Sequence, residues 1–281
     1  MTEAGLTRSR IAATLSAESH GNRDSLGSRL VADFVHFFAY HFVLARGGHR
    51  NVSAAGFRLE VAPTVFDPRI FRVSEFFARF VLALDLRGKR VADVGTGTGI
   101  LALAAARAGA SQVVALDINP AAVRAAEQNA ARNHFAERIV AVQSDLLAAL
   151  PPRPTFDVII SDPPPFPGEP RDMADRAWHA GPGYRDVVNL FAQAKSRLVP
   201  GGVMYLSLSH HSDLKLIGNL IADGGFQSRL AAEHSIWIDR LLLFELSQTA
   251  ANEQQARRNE AGSTTTIAGV TATTTARHPS S

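Results

Sequence analysis

Between residues 88 and 247 the chain alternates short β-branched runs with amphipathic stretches, and this restricts the fold more than any other feature. Strands are expected at Arg90–Val94, Gln112–Leu116, Ile139–Gln143, Phe156–Ser161, Val203–Leu208, Gln227–Glu233 and Ile236–Leu246. Helices are expected between them at Ile100–Ala108, Ala121–Asn133, Val187–Leu198 and Leu214–Ala222. Strand and helix in turn, at that spacing, specify an α/β fold with a doubly wound, mostly parallel sheet of seven strands. The last two strands have no helix between them, so an antiparallel pair is expected at one edge, with an antiparallel edge strand.

Composition divides the rest. Residues 1–48 read as an N-terminal helical extension, rich in Phe over Leu30–Arg46. Residues 49–87 read as one β element, GFRLEVAPTVF, and a helix around Ser74–Leu84 that Ser74 is placed to cap. Residues 248–281 turn polar and lack the periodic apolar residues that packing needs, so a disordered tail is expected. At 46 % hydrophobic and 20 % charged residues, the 281-residue chain can bury a real core. The absence of cysteine excludes a disulfide scaffold, a thiolate zinc site, an iron–sulfur cluster and a cysteine nucleophile. Lys+Arg 29 against Asp+Glu 26 leaves +3, no argument for nucleic acid as a partner. The start carries no apolar signal region, and Leu30–Ala45 is too short and too polar to span a bilayer, so a cytoplasmic protein is expected. No metal site is expected, because His36 and His41 lack the i, i+4 spacing of a helical metal pair.

The sharpest motif is VADVGTGTG, Val91–Gly99. A buried strand runs into Gly95, Gly97 and Gly99 and then directly into a helix. Glycines there allow a tight turn and a close approach of a ligand to the helix N-terminus. The spacing is not G-x-G-x-x-G, and the Gly-Lys-Ser/Thr ending of a phosphate-cradling loop is missing. Asp117 closes the next strand, VVALD, where a carboxylate can accept both hydroxyl hydrogens of a ribose; a cap on the following helix is the plainer alternative. Asp145 closes the third strand and could accept from an adenine amine or serve as a loop cap. Asp93, just before the glycines, could sit near a cationic ligand.

In this order, DVGTGTG, ALD, SD, DPPP and LVPGG, the motifs resemble the class I S-adenosylmethionine-dependent methyltransferases throughout residues 88–247. The resemblance implies S-adenosylmethionine as cofactor, with Gly95, Gly97 and Gly99 along its methionine part, Asp117 on its ribose and Asp145 facing its adenine. It places Asp93, Thr96, Ile118, Leu146 and Asp162 in the same cofactor site.

The fourth strand, FDVIISDPPPF, resembles the Asn/Asp-Pro-Pro-aromatic signature of enzymes that methylate planar nitrogens, with Asp162, Pro163, Pro164 and Phe166 as the catalytic stretch. Such nitrogens are poor nucleophiles because their lone pair is delocalised. The Asp162 side chain and the Pro163 carbonyl could take two N–H bonds and aim that pair at the methyl group. The alternative is a rigid proline turn. Where the family has an aromatic residue this chain has Pro165, with Phe166 one place on, so either Phe166 stacks on the acceptor through a shifted loop or the acceptor is not planar. Asp162 also replaces the Asn of glutamine methyltransferases, and an Asp cannot donate to an amide oxygen.

Over roughly residues 56–247 the likeness is greatest to HemK-type release-factor glutamine methyltransferases, through Ala177–Ser209, which reads as a glycine-containing turn, a helix, a Pro-Gly-Gly turn and a strand, and through Thr64–Val81, where that group places a proline-flanked loop over the cofactor. The expected acceptor is a protein glutamine or a similar amide or amine. A nucleic-acid base, a small molecule, or cofactor binding without catalysis are the alternatives, and the oligomeric state is open. Arg46, Arg50, Arg58, Arg69 and Arg72 form the basic cluster expected near the cleft. His210 and His211 could reach the cleft from the loop after the fifth strand or be satisfied loop histidines.

Overall fold

The computed structural model describes residues 48–249, apart from 70, 71, 211, 237 and 238. The expectations for the N-terminal extension, for His36, His41, Arg46 and His211, and for residues 250–281 lie outside the described residues. The described residues open on a hairpin, β1 (Arg50–Ala54) and β2 (Phe57–Val61), followed by α1 (Val73–Leu82). The core then runs β3 (Arg90–Val94), α2 (Ile100–Arg107), β4 (Gln112–Asp117), α3 (Pro120–Arg132), β5 (Ile139–Gln143), β6 (Phe156–Ser161), α4 (Arg185–Lys195), β7 (Leu198–Ser209), α5 (Leu214–Asp223), β8 (Phe226–Ile236) and β9 (Asp239–Gln248). Two short 3-10 turns, Asp175–Ala177 and Pro182–Tyr184, lie between β6 and α4.

The seven-stranded sheet has the order β5-β4-β3-β6-β7-β9-β8. β3 pairs parallel with β4 on one side and β6 on the other, β4 with β5, and β6 with β7. The expected antiparallel pair is present, but the reversed strand is not the edge: β9 lies between β7 and β8 and runs against both. Because β4 and β6 leave β3 in opposite directions, the strand order reverses beside β3. A crevice opens at the carboxyl ends of the strands there, the place where open α/β sheets bind ligands.

Each face of the sheet has its own core. The hairpin, α1, α2 and α3 cover one face, with Phe57, Leu59, Phe77 and Leu103 buried in it. On the other face α4 and α5 pack over Leu116, Leu147, Ile159 and Leu206, with Tyr184 and Phe191 filling the gap. α2 is short and nearly all Ala and Leu, and every residue from Ile100 to Ala106 is buried.

Three local expectations need correction. The β element of residues 49–87 is a two-stranded hairpin; β1 reads as polar because only Val52 and Ala54 of RNVSA turn inward. Ser74 does not cap α1. The capping position is Arg72, with no side-chain bond, and the Ser74 hydroxyl turns elsewhere. Finally, Pro200-Gly201-Gly202 is not a turn before a strand but part of β7, and α4 stops at Lys195. The register between β6 and β7 shifts between Phe156 and Val158. There a Cβ on Gly202 would lie 2.9–3.1 Å from the carbonyl oxygens of Val199, Asp157 and Phe156, so glycine fits a bulge that packs backbone against backbone.

Candidate active site

Gly95, Gly97 and Gly99 leave β3 and enter α2 with φ of +79°, +54° and +79°, a left-handed path that side chains resist. The loop is wired to β4: Gly95 and Thr96 donate their N–H groups to the Leu116 carbonyl at 2.8 and 2.9 Å, and Gly97 donates to Asp117 Oδ2 at 2.9 Å. At Gly99 a Cβ would come within 3.0 Å of the Ala126 Cα, so α2 and α3 pack tightly only because that atom is missing.

Asp117 also accepts the Asn119 N–H at 2.9 Å on Oδ1, and burial raises its pKa above the ordinary carboxylate range. It is not the cap of α3. That role falls to Asn119, which accepts from the Ala121 N–H at 2.9 Å with Pro120 at the first helical position. Ile118 is half-buried, and its carbonyl accepts from Gln143 Nε2 at 3.4 Å. Asp145 is exposed at the end of β5, and Leu146 beside it adopts φ +54°. Thus Asp117 and Asp145 stand at the carboxyl ends of neighbouring strands, on the glycine-loop side of the crevice.

Asp93 is fully buried. Its Oδ2 accepts from Thr96 Oγ1 at 2.6 Å and the Ala102 N–H at 3.0 Å, while its Oδ1 has no protein partner. Burial, partly offset by those two bonds, pushes its pKa up to about 7. The native state therefore holds a proton that the unfolded chain, near 3.8, has released. Asp93 thus lowers stability as pH rises from about 4 to about 7 and adds no slope above that. Asp93→Asn keeps the two accepted bonds and removes the charge. Thermal melts at pH 5 and pH 8 should differ less for this variant than for wild type, and an unchanged difference would contradict the assignment.

Across the switch point, Asp162 extends β6. Its Oδ2 lies 3.4 Å from the Ser74 hydroxyl, which α1 brings over the crevice. Pro163, Pro164 and Pro165 follow, half-buried and without N–H groups, so this loop offers only oxygen acceptors. The Phe166 N–H donates to the Trp178 carbonyl at 3.1 Å and its carbonyl accepts from Ala180 at 2.9 Å. Its ring stacks on Trp178 with centroids 6.3 Å apart, and Trp178 in turn meets the edge of Phe66 at 5.1 Å. The segment from β2 to α1 completes the enclosure. Thr64 accepts from Asn119 Nδ2 at 3.0 Å, and Val65 lies next to Gly97. Farther along, Asp67 is buried against Arg69 and Arg50.

Of the expected site residues, the fold brings Asp93, Gly95, Thr96, Gly97, Gly99, Asp117, Ile118, Asp145 and Leu146 to the ends of β3, β4 and β5. Asp162, Pro163, Pro164 and Phe166 stand on the other side, after β6. Arg58 turns away from the cleft toward the Arg132 carbonyl, and His210 is a satisfied loop histidine whose Nδ1 accepts the Arg240 N–H at 3.1 Å. Sequence reasoning missed Asn119, Asn129 and Tyr184, and read Ser74 only as a helix cap. Among the described residues no cluster of metal-ligating side chains occurs and no helix is long and apolar enough to cross a membrane.

Comparison with known proteins agrees with this fold. The family described as ribosomal protein L11 methyltransferase (PrmA) matches residues 79–162. A Methanocaldococcus jannaschii protein named as an N5-glutamine methyltransferase is 27 % identical over 197 residues, 68 % of this chain and 96 % of that one. The ribosomal protein L11 methyltransferase of Pelotomaculum thermopropionicum is 33 % identical over 211 residues, and the match spans 70 % of this chain but only 61 % of that relative. The fold of the Thermus thermophilus 16S rRNA N2 G1207 methyltransferase, solved with S-adenosylmethionine and guanosine, superposes with a TM-score of 0.50 at 24 % identity, covering 72 % of this chain and 50 % of that one. The orphaned buried Asp93 oxygen, the three left-handed glycines and the Asp117 carboxylate at the end of β4 fit a cationic nucleoside. The chain carries an S-adenosylmethionine-dependent methyltransferase domain, PrmA-like over residues 79–162.

Proposed function

We propose that the chain methylates a planar nitrogen, the side-chain amide of a protein glutamine. The observation that carries this reading is the acceptor-only loop Asp162–Pro165, set across the strand-order reversal from the glycine loop. The relative named as an N5-glutamine methyltransferase, matched over 96 % of its length, supports it.

Within this reading Gly95, Thr96, Gly97 and Gly99 cradle the methionine part of the cofactor, Asp117 and Ile118 the ribose, and Asp145 and Leu146 the adenine, with Asp93 beneath the loop. When bound, the cofactor supplies a sulfonium-activated methyl group. Asp162 and the Pro163 carbonyl take the two N–H bonds of the acceptor and direct its lone pair. Phe166 and Trp178 wall the entrance. With the thioether as leaving group of the methyl transfer, Asp162 and water would receive the proton that the acceptor nitrogen loses. No strong base is needed, so alignment carries the rate.

Asp117→Ala should weaken S-adenosylmethionine binding by about 1.5–3 kcal/mol, the worth of hydrogen bonds to a charged group. Titration calorimetry on a folded variant decides this, and an unchanged affinity removes the ribose assignment.

One observation favours a second acceptor, an exocyclic amine of a nucleic-acid base: Asp162 accepts from both amine hydrogens but cannot donate to an amide oxygen. Labelled cofactor with cell lysate separates the two. A glutamine acceptor puts label in protein and releases it as methylamine on alkaline hydrolysis, because the C–N bond of an N-methyl amide is hydrolysable. Label in RNA, or in protein but resistant to alkali, sinks the amide reading.

A further inference from the structure

Three consecutive prolines leave the loop after Asp162 unable to donate a backbone hydrogen bond, so it can be held only through its oxygens. The hold comes from Tyr184. Its hydroxyl donates to the Pro165 carbonyl at 2.9 Å and accepts the Asp213 N–H at 3.0 Å. Asp213 is the cap of α5, accepting the Leu216 N–H at 2.9 Å, so the hydroxyl links the acceptor loop to the start of that helix. The ring is fully buried in the core beneath α4 and α5.

The backbone of Tyr184 is also unusual. It takes φ +58°, ψ +39°, a left-handed conformation unfavourable for every residue except Gly and, to a lesser degree, Asn and Asp. Gly181 and Gly183 just before it adopt φ +77° and +60°. A strained aromatic residue persists where its surroundings demand it, and here they demand a phenol at one place. The Phe166 strand bond to Trp178 and Ala180 then fixes the far end of the same loop, and the Ser74 hydroxyl meets its near end at Asp162.

We propose that Tyr184 is a positioning residue for methyl transfer: by taking the Pro165 carbonyl, its hydroxyl sets the path of the proline run and so the aim of Asp162 and the Pro163 carbonyl. This rests on the placement of the acceptor at Asp162. With Pro165 engaged, the Asp162 side chain and the Pro163 carbonyl are held toward the two N–H bonds of a primary amide or amine. Without the phenol the Pro165 carbonyl is released and the loop gains freedom, so alignment suffers in the transition state while the cofactor, bound at β3 to β5, is untouched.

The test is Tyr184→Phe, which keeps the ring. On whichever acceptor class takes label, kcat should fall about 10- to 100-fold, while the cofactor Kd and the KM for cofactor stay within twofold. A kcat within twofold of wild type overturns the proposal, and so does an equal loss of cofactor affinity, which marks a merely structural residue. A second readout needs neither acceptor nor turnover. The chain has three tyrosines, Tyr40, Tyr184 and Tyr205, so 3-fluorotyrosine labelling gives three fluorine signals, assigned by elimination with Tyr40→Phe and Tyr205→Phe. In Asp162→Ala the Tyr184 signal should move and the Tyr205 signal should not. An unmoved Tyr184 signal overturns the coupling even if Tyr184→Phe fails to fold. A non-amide acceptor sinks the glutamine reading alone and leaves Tyr184 judged on its own kcat.

Discussion

Asp162→Ala should reduce turnover at least 100-fold with cofactor affinity almost unchanged. The carboxylate stands at the carboxyl end of β6, past the strand-order reversal, while the glycine loop and Asp117 stand on β3 and β4. Asp162 is half-buried and its Oδ2 accepts from the Ser74 hydroxyl at 3.4 Å, a long bond, so a thermal melt beside the kinetics separates lost alignment from lost fold. What disappears is an acceptor that fixes one N–H of the substrate, and losing one such positioning bond typically costs about 10²–10³ in kcat. Asp162→Asn sharpens the result. An amide acceptor gains a donor for its carbonyl oxygen and tolerates the change, whereas an amine loses a charged partner and reacts more slowly. The measurement is kcat and KM on the labelled acceptor beside calorimetric cofactor affinity. Turnover at the wild-type rate in Asp162→Ala would reduce the proline run to a turn and take the nitrogen reading with it.

How far the sequence could be read follows from which residues speak locally. Strand–helix alternation announces β3 to β9 because each strand is a short apolar run bounded by polar turns, and the glycine spacing announces the loop because left-handed φ leaves little other choice. Asp117 and Asp145 were legible as strand-end carboxylates. The reversed place of β9 was not, since local pattern fixes that β8 and β9 pair but not which of them meets β7. β1 was hidden by its polar outer face, and Pro200-Gly201-Gly202 reads as a turn because a bulge and a turn use the same residues. The residues that tie distant segments together, Ser74 to Asp162 and Tyr184 to Pro165, depend on contacts that no spacing encodes. One signal was available and went unread. In the alanine-rich helix PAAVRAAEQNAAR, Asn129 sits on the buried face among Ala122, Ala125, Ala126 and Ala130, where an amide needs a reason.

That reason leads to the largest expected loss of stability, in Asn129→Ala. Asn129 is fully buried, and its Oδ1 accepts the Glu60 N–H at 2.7 Å while its Nδ2 donates to the carbonyls of Glu60 and Thr98, both at 2.9 Å. A carboxamide has the shape of a peptide group, so Asn129 pairs with Glu60 as a neighbouring strand would. Asn133, one turn on, does the same for Arg58: it accepts the Arg58 N–H at 3.1 Å and donates to its carbonyl at 2.8 Å. The match is geometric, because four residues of helix rise about 6 Å and two residues of strand about 6.6 Å. Asn129 within α3 and Asn133 at its C-terminal cap therefore cover the open edge of β2, which would otherwise present unpaired groups. Removing the Asn129 amide strands one buried donor and two buried acceptors, at about 1–3 kcal/mol each before relaxation, for an expected loss of about 3–5 kcal/mol. Asn133 is only half-buried, and Asn133→Ala should cost about 1 kcal/mol. Since the Thr98 carbonyl belongs to the glycine loop, Asn129→Ala should also weaken cofactor binding in whatever fraction folds, whereas Asn133→Ala should not. Urea unfolding with calorimetry on both variants tests this, and equal losses in the two would mean that the hairpin is held by its apolar face alone.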